Sequence, residues 1–190
     1  PIRGLVLVGY MMPMSVTALL GKNLFLLDGG VINDLLMKVH LISSPIDWLV
    51  NGGTALGAVI AVNCWVGIPF NMLLLTSGLT GISTDIYESA SMDGANAFKR
   101  FIYITLPLMK PAMLSVLMLG FIYTFKAFDL MYIMTAGGPF NSTDVLGTYA
   151  YSKAFTQYEF SQGSAIAMVL FACLFLVGIF YLKLLSKEDD

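Results

Sequence analysis

Four stretches of the chain, residues 4–20, 54–79, 112–136 and 164–182, are almost continuously apolar, and only the third contains charges, Lys126 and Asp129. A helix rises about 1.5 Å per residue, so roughly 20 apolar residues cross the ~30 Å hydrocarbon of a bilayer. None of the four alternates with the period of two that a membrane barrel strand requires. They predict an all-α, polytopic transmembrane helical bundle. Pro13 and Pro69 fall inside two of the spans, where neighbouring helices can satisfy the freed carbonyls. Composition closes the alternatives. Charged residues make up 12% and apolar residues 57%, against about 25% charged in soluble domains, so a water-facing surface cannot be clothed and a soluble enzyme is excluded. The net charge is −2 with dispersed Lys and Arg, which excludes a nucleic-acid partner. Cys64 and Cys173 lie in apolar runs and read as packing residues. The chain begins Pro-Ile-Arg, with no initiator Met and no basic leader, so it reads as the later part of a longer polypeptide with spans before it.

The segments between the spans set an orientation. Arg3, Lys99, Arg100, Lys110, Lys183 and Lys187 fall on one side, and Lys22, Lys38 and Lys153 on the other. The positive-inside rule makes the first side cytoplasmic, with both ends of the chain and the loop at 80–111 inside. Trp48 is then placed at the outer interface, and residues 28–33 read as a turn leading into a short capped helix.

The loop at 80–111 is long for a helix connection and has internal organisation. Asp85 with Glu88 three residues later has the spacing of a capping box. Gly94 is placed to end that short helix in the left-handed conformation. A second helix starts near Asn96, with Phe98, Phe101, Ile102 and Thr105 on one face, and Pro107 stops it. The predicted unit is a helix-turn-helix with its apolar side on the bundle, or an amphipathic segment on the lipid headgroups.

The same residues resemble a family signature. Glu88-Ser89-Ala90, Gly94 after three intervening residues and Ile104-x-Leu106-Pro107 after nine more resemble the EAA loop of ABC importer permeases, departing only at Ser89. Residues 65–72 (Trp-Val-Gly-Ile-Pro-Phe-Asn-Met), Phe128-Asp129-Leu130 and 135–139 (Thr-Ala-Gly-Gly-Pro) resemble the carbohydrate-uptake, MalF-type branch. The resemblance implies a non-catalytic permease subunit in the plasma membrane of a bacterium or archaeon, with one transmembrane domain over 1–190. It implies that Glu88, Ala90, Asp93, Gly94 and Ala95 dock into a cytoplasmic ABC ATPase, with Ile104, Leu106 and Pro107 as the scaffold behind them. It also implies a second permease subunit, an extracytoplasmic solute-binding protein and a carbohydrate substrate.

No Gly-x-x-x-x-Gly-Lys-Ser/Thr loop is present, so no nucleotide or other cofactor is expected on this chain. His40 is the sole histidine and has no metal-ligand spacing around it. No catalytic constellation is expected. In the spans, Lys126 and Asp129 should face protein or water, either as an i, i+3 ion pair or as polar lining of a transport path. Phe125, Phe128 and Tyr132 share the helical spacing that could stack on sugar faces or simply pack. Asn63 and Asn71 in the second span are further candidates for the path. A self-contained ion-coupled carrier or an intramembrane enzyme is the alternative, and a carrier should show paired broken helices in repeated halves.

Overall fold

The computed structural model describes residues 9–186 together with Gly4 and Leu7, and of Leu185 and Ser186 the backbone alone. The main helical segments are, in order, α1 (Met14–Leu24), α2 (Val31–Lys38), α3 (Gly52–Thr80), α4 (Thr84–Met92), α5 (Ala97–Leu108), α6 (Lys110–Phe125), α7 (Asp129–Thr135), α8 (Leu146–Tyr151), which continues into a π-helical turn at Ser152–Thr156, and α9 (Phe160–Ser186). Among the described residues there is no strand. α3 and the Phe160–Leu184 part of α9 are each long and apolar enough to cross a membrane, and α5 with α6 forms a third candidate span bent by 62°.

Two of the predicted spans are broken. In the first, Gly4, Leu7, Gly9 and Tyr10 are helical, the chain leaves the helix at residues 11–13, and α1 restarts at Met14; Leu5, Val6 and Val8 lie outside the described residues. Pro13 is the cause: it has no N–H to give and takes an extended backbone (φ −57, ψ 141), from which its carbonyl accepts the Thr17 N–H at 3.0 Å. In the third, α6 ends at Phe125 and α7 restarts at Asp129. The charges complement the break. Lys126 sits at the C-terminal end of α6 and Asp129 at the first position of α7, each at the helix end whose partial charge opposes its own. The i, i+3 ion pair expected between them is absent among the described residues, because the residues between them are not helical and the helical spacing does not hold.

The core combines small residues, which let helices approach closely where no hydrophobic driving force acts between them, with a few large side chains. α1 lies against α7, and both lie on the first half of α3, burying Ala18, Ala58, Val59, Val62, Leu130, Met131 and Met134. α1 approaches so closely that a Cβ at Gly21 would stand 2.7 Å from a Val62 methyl. α6 packs between α3 and α9, where the Ser115 and Tyr181 hydroxyls meet at 3.0 Å. Elsewhere the long helices present Leu, Phe and Val outward, and no residue of the most apolar stretch of α9 is fully buried by the chain.

One polar side chain organises the segment before α3. Asn33, 1% exposed, donates through Nδ2 to the carbonyls of Leu26, Leu27 and Ile46 at 3.2, 3.4 and 2.9 Å. Its Oδ1 accepts from the Ile46 N–H at 3.1 Å and from Trp48 Nε1 at 2.9 Å. The Trp48 indole, expected at the membrane interface, is thus turned inward, edge-on to Phe25. The N-cap position of α2 is Gly30, which has no side chain to bond the first turn.

Candidate functional site: the helix pair at 84–108 and the cleft behind it

α4 begins at Ser83, whose hydroxyl accepts the Asp85 N–H at 3.3 Å. Ser83 takes the capping position expected of Asp85, so Glu88 lies two residues too far in for a capping box, and Asp85 instead places its charge in the first turn. The end of α4 is a Schellman turn. Gly94 has φ +78, its N–H bonds to the Ser91 carbonyl at 3.1 Å, and the Ala95 N–H bonds to the Ala90 carbonyl at 2.9 Å. Asn96 then caps α5 by accepting the Lys99 N–H at 2.9 Å.

The two arms are braced twice. The Tyr87 hydroxyl meets the buried Thr105 hydroxyl at 2.9 Å, and Arg100 donates to Ser91 Oγ at 2.7 Å. Sequence reading missed both pairings, since the partners lie 18 and 9 residues apart. α5 contains a π-helical stretch, Phe101–Thr105, and the extra residue in that turn shifts the phase. Of the predicted bundle-facing set only Thr105 is buried; Phe98, Phe101 and Ile102 are exposed, as is Met92 on the neighbouring arm. Pro107 does not stop the helix. It lies in the last turn, which runs to Leu108, and the bend falls at Met109. Around the tip Glu88, Asp93 and Gly94 are exposed, Ala90 and Ala95 half-buried, and Ile104 and Leu106 half-buried behind them.

The elbow at Met109 leads into α6, and the far end of α6 walls a cleft of about 510 Å³ between α1, α3 and α7. Five of the seven predicted path residues line it: Asn63, Asn71, Lys126, Phe128 and Asp129. Phe125 does not; it is stacked on Phe121 at 4.4 Å. Tyr132 does not either, being packed against Phe128 and Tyr151 at 5.2 and 4.9 Å. A panel that sequence reading overlooked completes the wall: Tyr10, Phe70 and Tyr123, with ring centres 5.9 and 5.5 Å apart in series. Tyr123 lies one turn before Lys126 and Phe70 next to Asn71, so the helical period held a signal for both. Asn71 Oδ1 is buried with no hydrogen-bond donor from the described residues. Such an acceptor costs about 1–3 kcal/mol and suits a hydroxyl brought by a ligand.

A largely apolar cleft carrying a few polar side chains beside a discontinuous helix, with an exposed, braced helix pair at the far end of the bundle, is the architecture of a membrane-transport subunit. The chain belongs to the family described as the binding-protein-dependent transport system inner membrane component, whose model matches residues 1–187. It is similar to the trehalose/maltose transport system permease protein MalF of Thermococcus litoralis, 34% identical over 96% of this chain and 61% of that protein. It is also similar to the sulfoquinovosyl glycerol transport system permease protein SmoG of Agrobacterium fabrum, 33% identical over 100% and 61%. The chain thus spans about three fifths of the length of these curated relatives. The crystal structure of a bacterial ABC transporter importing the acidic polysaccharide alginate has the same fold, with a TM-score of 0.87 at 19% identity over 100% of this chain and 66% of that one. The chain is a multi-pass membrane protein of the ABC importer permease family.

Proposed function

We propose that this chain is a permease subunit that couples a partner ATPase to alternating access for a sugar or related polyol. The observation that supports it most is mechanical continuity: the braced pair α4–α5 joins through the elbow at Met109 to α6, whose other end walls the cleft. In this reading the tip at Glu88, Ala90, Asp93, Gly94 and Ala95 enters a cleft of a cytoplasmic ATPase, which holds and hydrolyses the nucleotide. Ile104, Leu106 and Pro107 back it. The C-terminus lies on the same side as the tip, in the cytoplasm, and a second permease subunit and an extracytoplasmic solute-binding protein complete the importer. Asn63, Asn71, Lys126, Phe128 and Asp129 line the substrate path. The charged groups there hydrogen-bond sugar hydroxyls, and the rings of Tyr10, Phe70 and Tyr123 offer faces to sugar C–H groups. The relatives named for trehalose/maltose and sulfoquinovosyl glycerol support a substrate among saccharides and their glycosides.

The test is Gly94→Leu in the reconstituted complex. Gly94 has open space around it, so the local cost is the backbone one, about 1–2 kcal/mol for a Cβ at positive φ. The subunit should insert and fold. The expected loss is in ATPase engagement or in coupling of hydrolysis to uptake, and Glu88→Lys should act in the same direction. Normal uptake by an assembled Gly94→Leu complex would refute the assignment of this tip as the transmission element.

A further inference from the structure

The turn after α7 holds a phenylalanine where the chain gains nothing by keeping it. Phe140 is 99% exposed, and both it and Asn141 have positive φ, +50 and +59. Such conformations strain residues that carry a Cβ and persist only where the surroundings fix them. The surroundings do fix them. Thr143, 2% exposed, donates to the Gly138 carbonyl at 2.8 Å and lies 2.6 Å from the Thr135 hydroxyl. The Ser142 N–H bonds to the Pro139 carbonyl at 2.9 Å and the Thr143 N–H to the Gly137 carbonyl at 3.2 Å. The turn therefore holds a large ring outward on a braced backbone, which lowers the ordering cost of inserting that ring into a partner.

We propose that Phe140 is an anchor by which the importer's solute-binding protein docks on the outer face of this subunit. This rests on the importer reading above. Position favours it: the turn packs on the start of α3, where a Cβ at Gly52 would stand 3.2 Å from that of Ser142. The other end of α3 lies 29 residues away and feeds the coupling helices, which separates the two by roughly 40 Å along the bundle. Phe140 is thus on the side opposite the ATPase. The rim favours a protein over lipid headgroups. Pro139, Asn141, Ser142 and Asp144 flank Phe140 in the turn, and no Lys or Arg occurs between Thr135 and Lys153. A headgroup anchor draws on cationic residues beside its apolar group, whereas one exposed ring in a small polar rim matches a protein hot spot.

The complete importer, reconstituted in nanodiscs, is titrated with its purified cognate solute-binding protein while ATP hydrolysis is followed. Phe140→Ala should raise the binding-protein concentration for half-maximal stimulation by about tenfold, with basal hydrolysis and subunit assembly unchanged, and Phe140→Tyr should remain within about threefold of wild type. A photo-crosslinking residue at 140 should capture the binding protein. An unchanged half-saturation in Phe140→Ala, or crosslinks to lipid alone, would overturn the proposal while leaving the importer reading intact. Failure of the binding protein to stimulate the wild-type complex would overturn both.

Discussion

Asn33→Ala removes the side chain that ties residues 26–27 to residues 46–48 across the base of α2. The Ile46 N–H and the Trp48 Nε1–H lose their acceptor, and three carbonyls lose a shared donor, at a site 1% exposed. An unsatisfied buried donor costs about 1–3 kcal/mol. With the carbonyls relaxing toward water and the two N–H groups left inside, the expected loss is about 3–5 kcal/mol. Trp48 is its own reporter. Trp65 is the other of the chain's two tryptophans, so in a Trp65→Phe background the emission on heating in detergent reports Trp48 alone. The midpoint should fall by roughly 10 °C for a chain of this length, and the emission should shift red already in the folded state as the indole N–H finds water. A midpoint within about 2 °C of the parent, with unshifted emission, would refute the view that this hydrogen-bonded centre holds the segment.

The brace between the coupling arms should behave as a pair. Tyr87→Phe and Thr105→Val should each loosen α4 against α5, and a double-mutant cycle on ATPase-stimulated uptake should return a coupling energy of about 0.5–1.5 kcal/mol; strict additivity would remove the brace from the mechanism. In the cleft, Asn71→Leu removes a buried acceptor that lacks a donor, so thermal stability should hold or rise while the transport KM rises; an unchanged KM would take Asn71 out of the substrate path.

The parts legible in the sequence were those whose determinants are local. Gly94 ends a helix because only a residue without Cβ adopts that turn freely, and Asn96 caps the next because its side chain reaches three residues on; both follow from neighbours in the chain. The break at 126–128 has no such signal. Lys, Ala and Phe all tolerate helices, and the interruption is fixed by α1 and α3 packing around Leu130 and Met131. Counting helical spacing across that break placed Phe125 on one face with Phe128 and Tyr132, whereas the structure turns Phe125 toward Phe121; Phe128 and Tyr132, both past the break, do stack on each other, but Tyr132 lies outside the cleft lining. Asn33 was read as part of a turn because its partners lie up to 15 residues ahead. The π-helical turn at 101–105 hid the outward face of α5 for the same reason, since a period of 3.6 does not survive one inserted residue.

In the coupling reading proposed above, the elbow at Met109 acts as a crank. Backbone bonds tie Met109 to both limbs, from its N–H to the Thr105 carbonyl and from the Met113 N–H to its carbonyl, both at 2.9 Å. A crank requires the two limbs, 62° apart, to turn together. With 16 residues in α6, the long limb is about 24 Å. A rotation of the short limb by about 5° would carry the Lys126 end through roughly 2 Å, on the order of the sliding that packed helices accommodate without separating. In this reading the stroke at the cleft is set by the length of one helix, and inserting a single residue into α6 would turn its far end by about 100° and aim Lys126 away from the cleft.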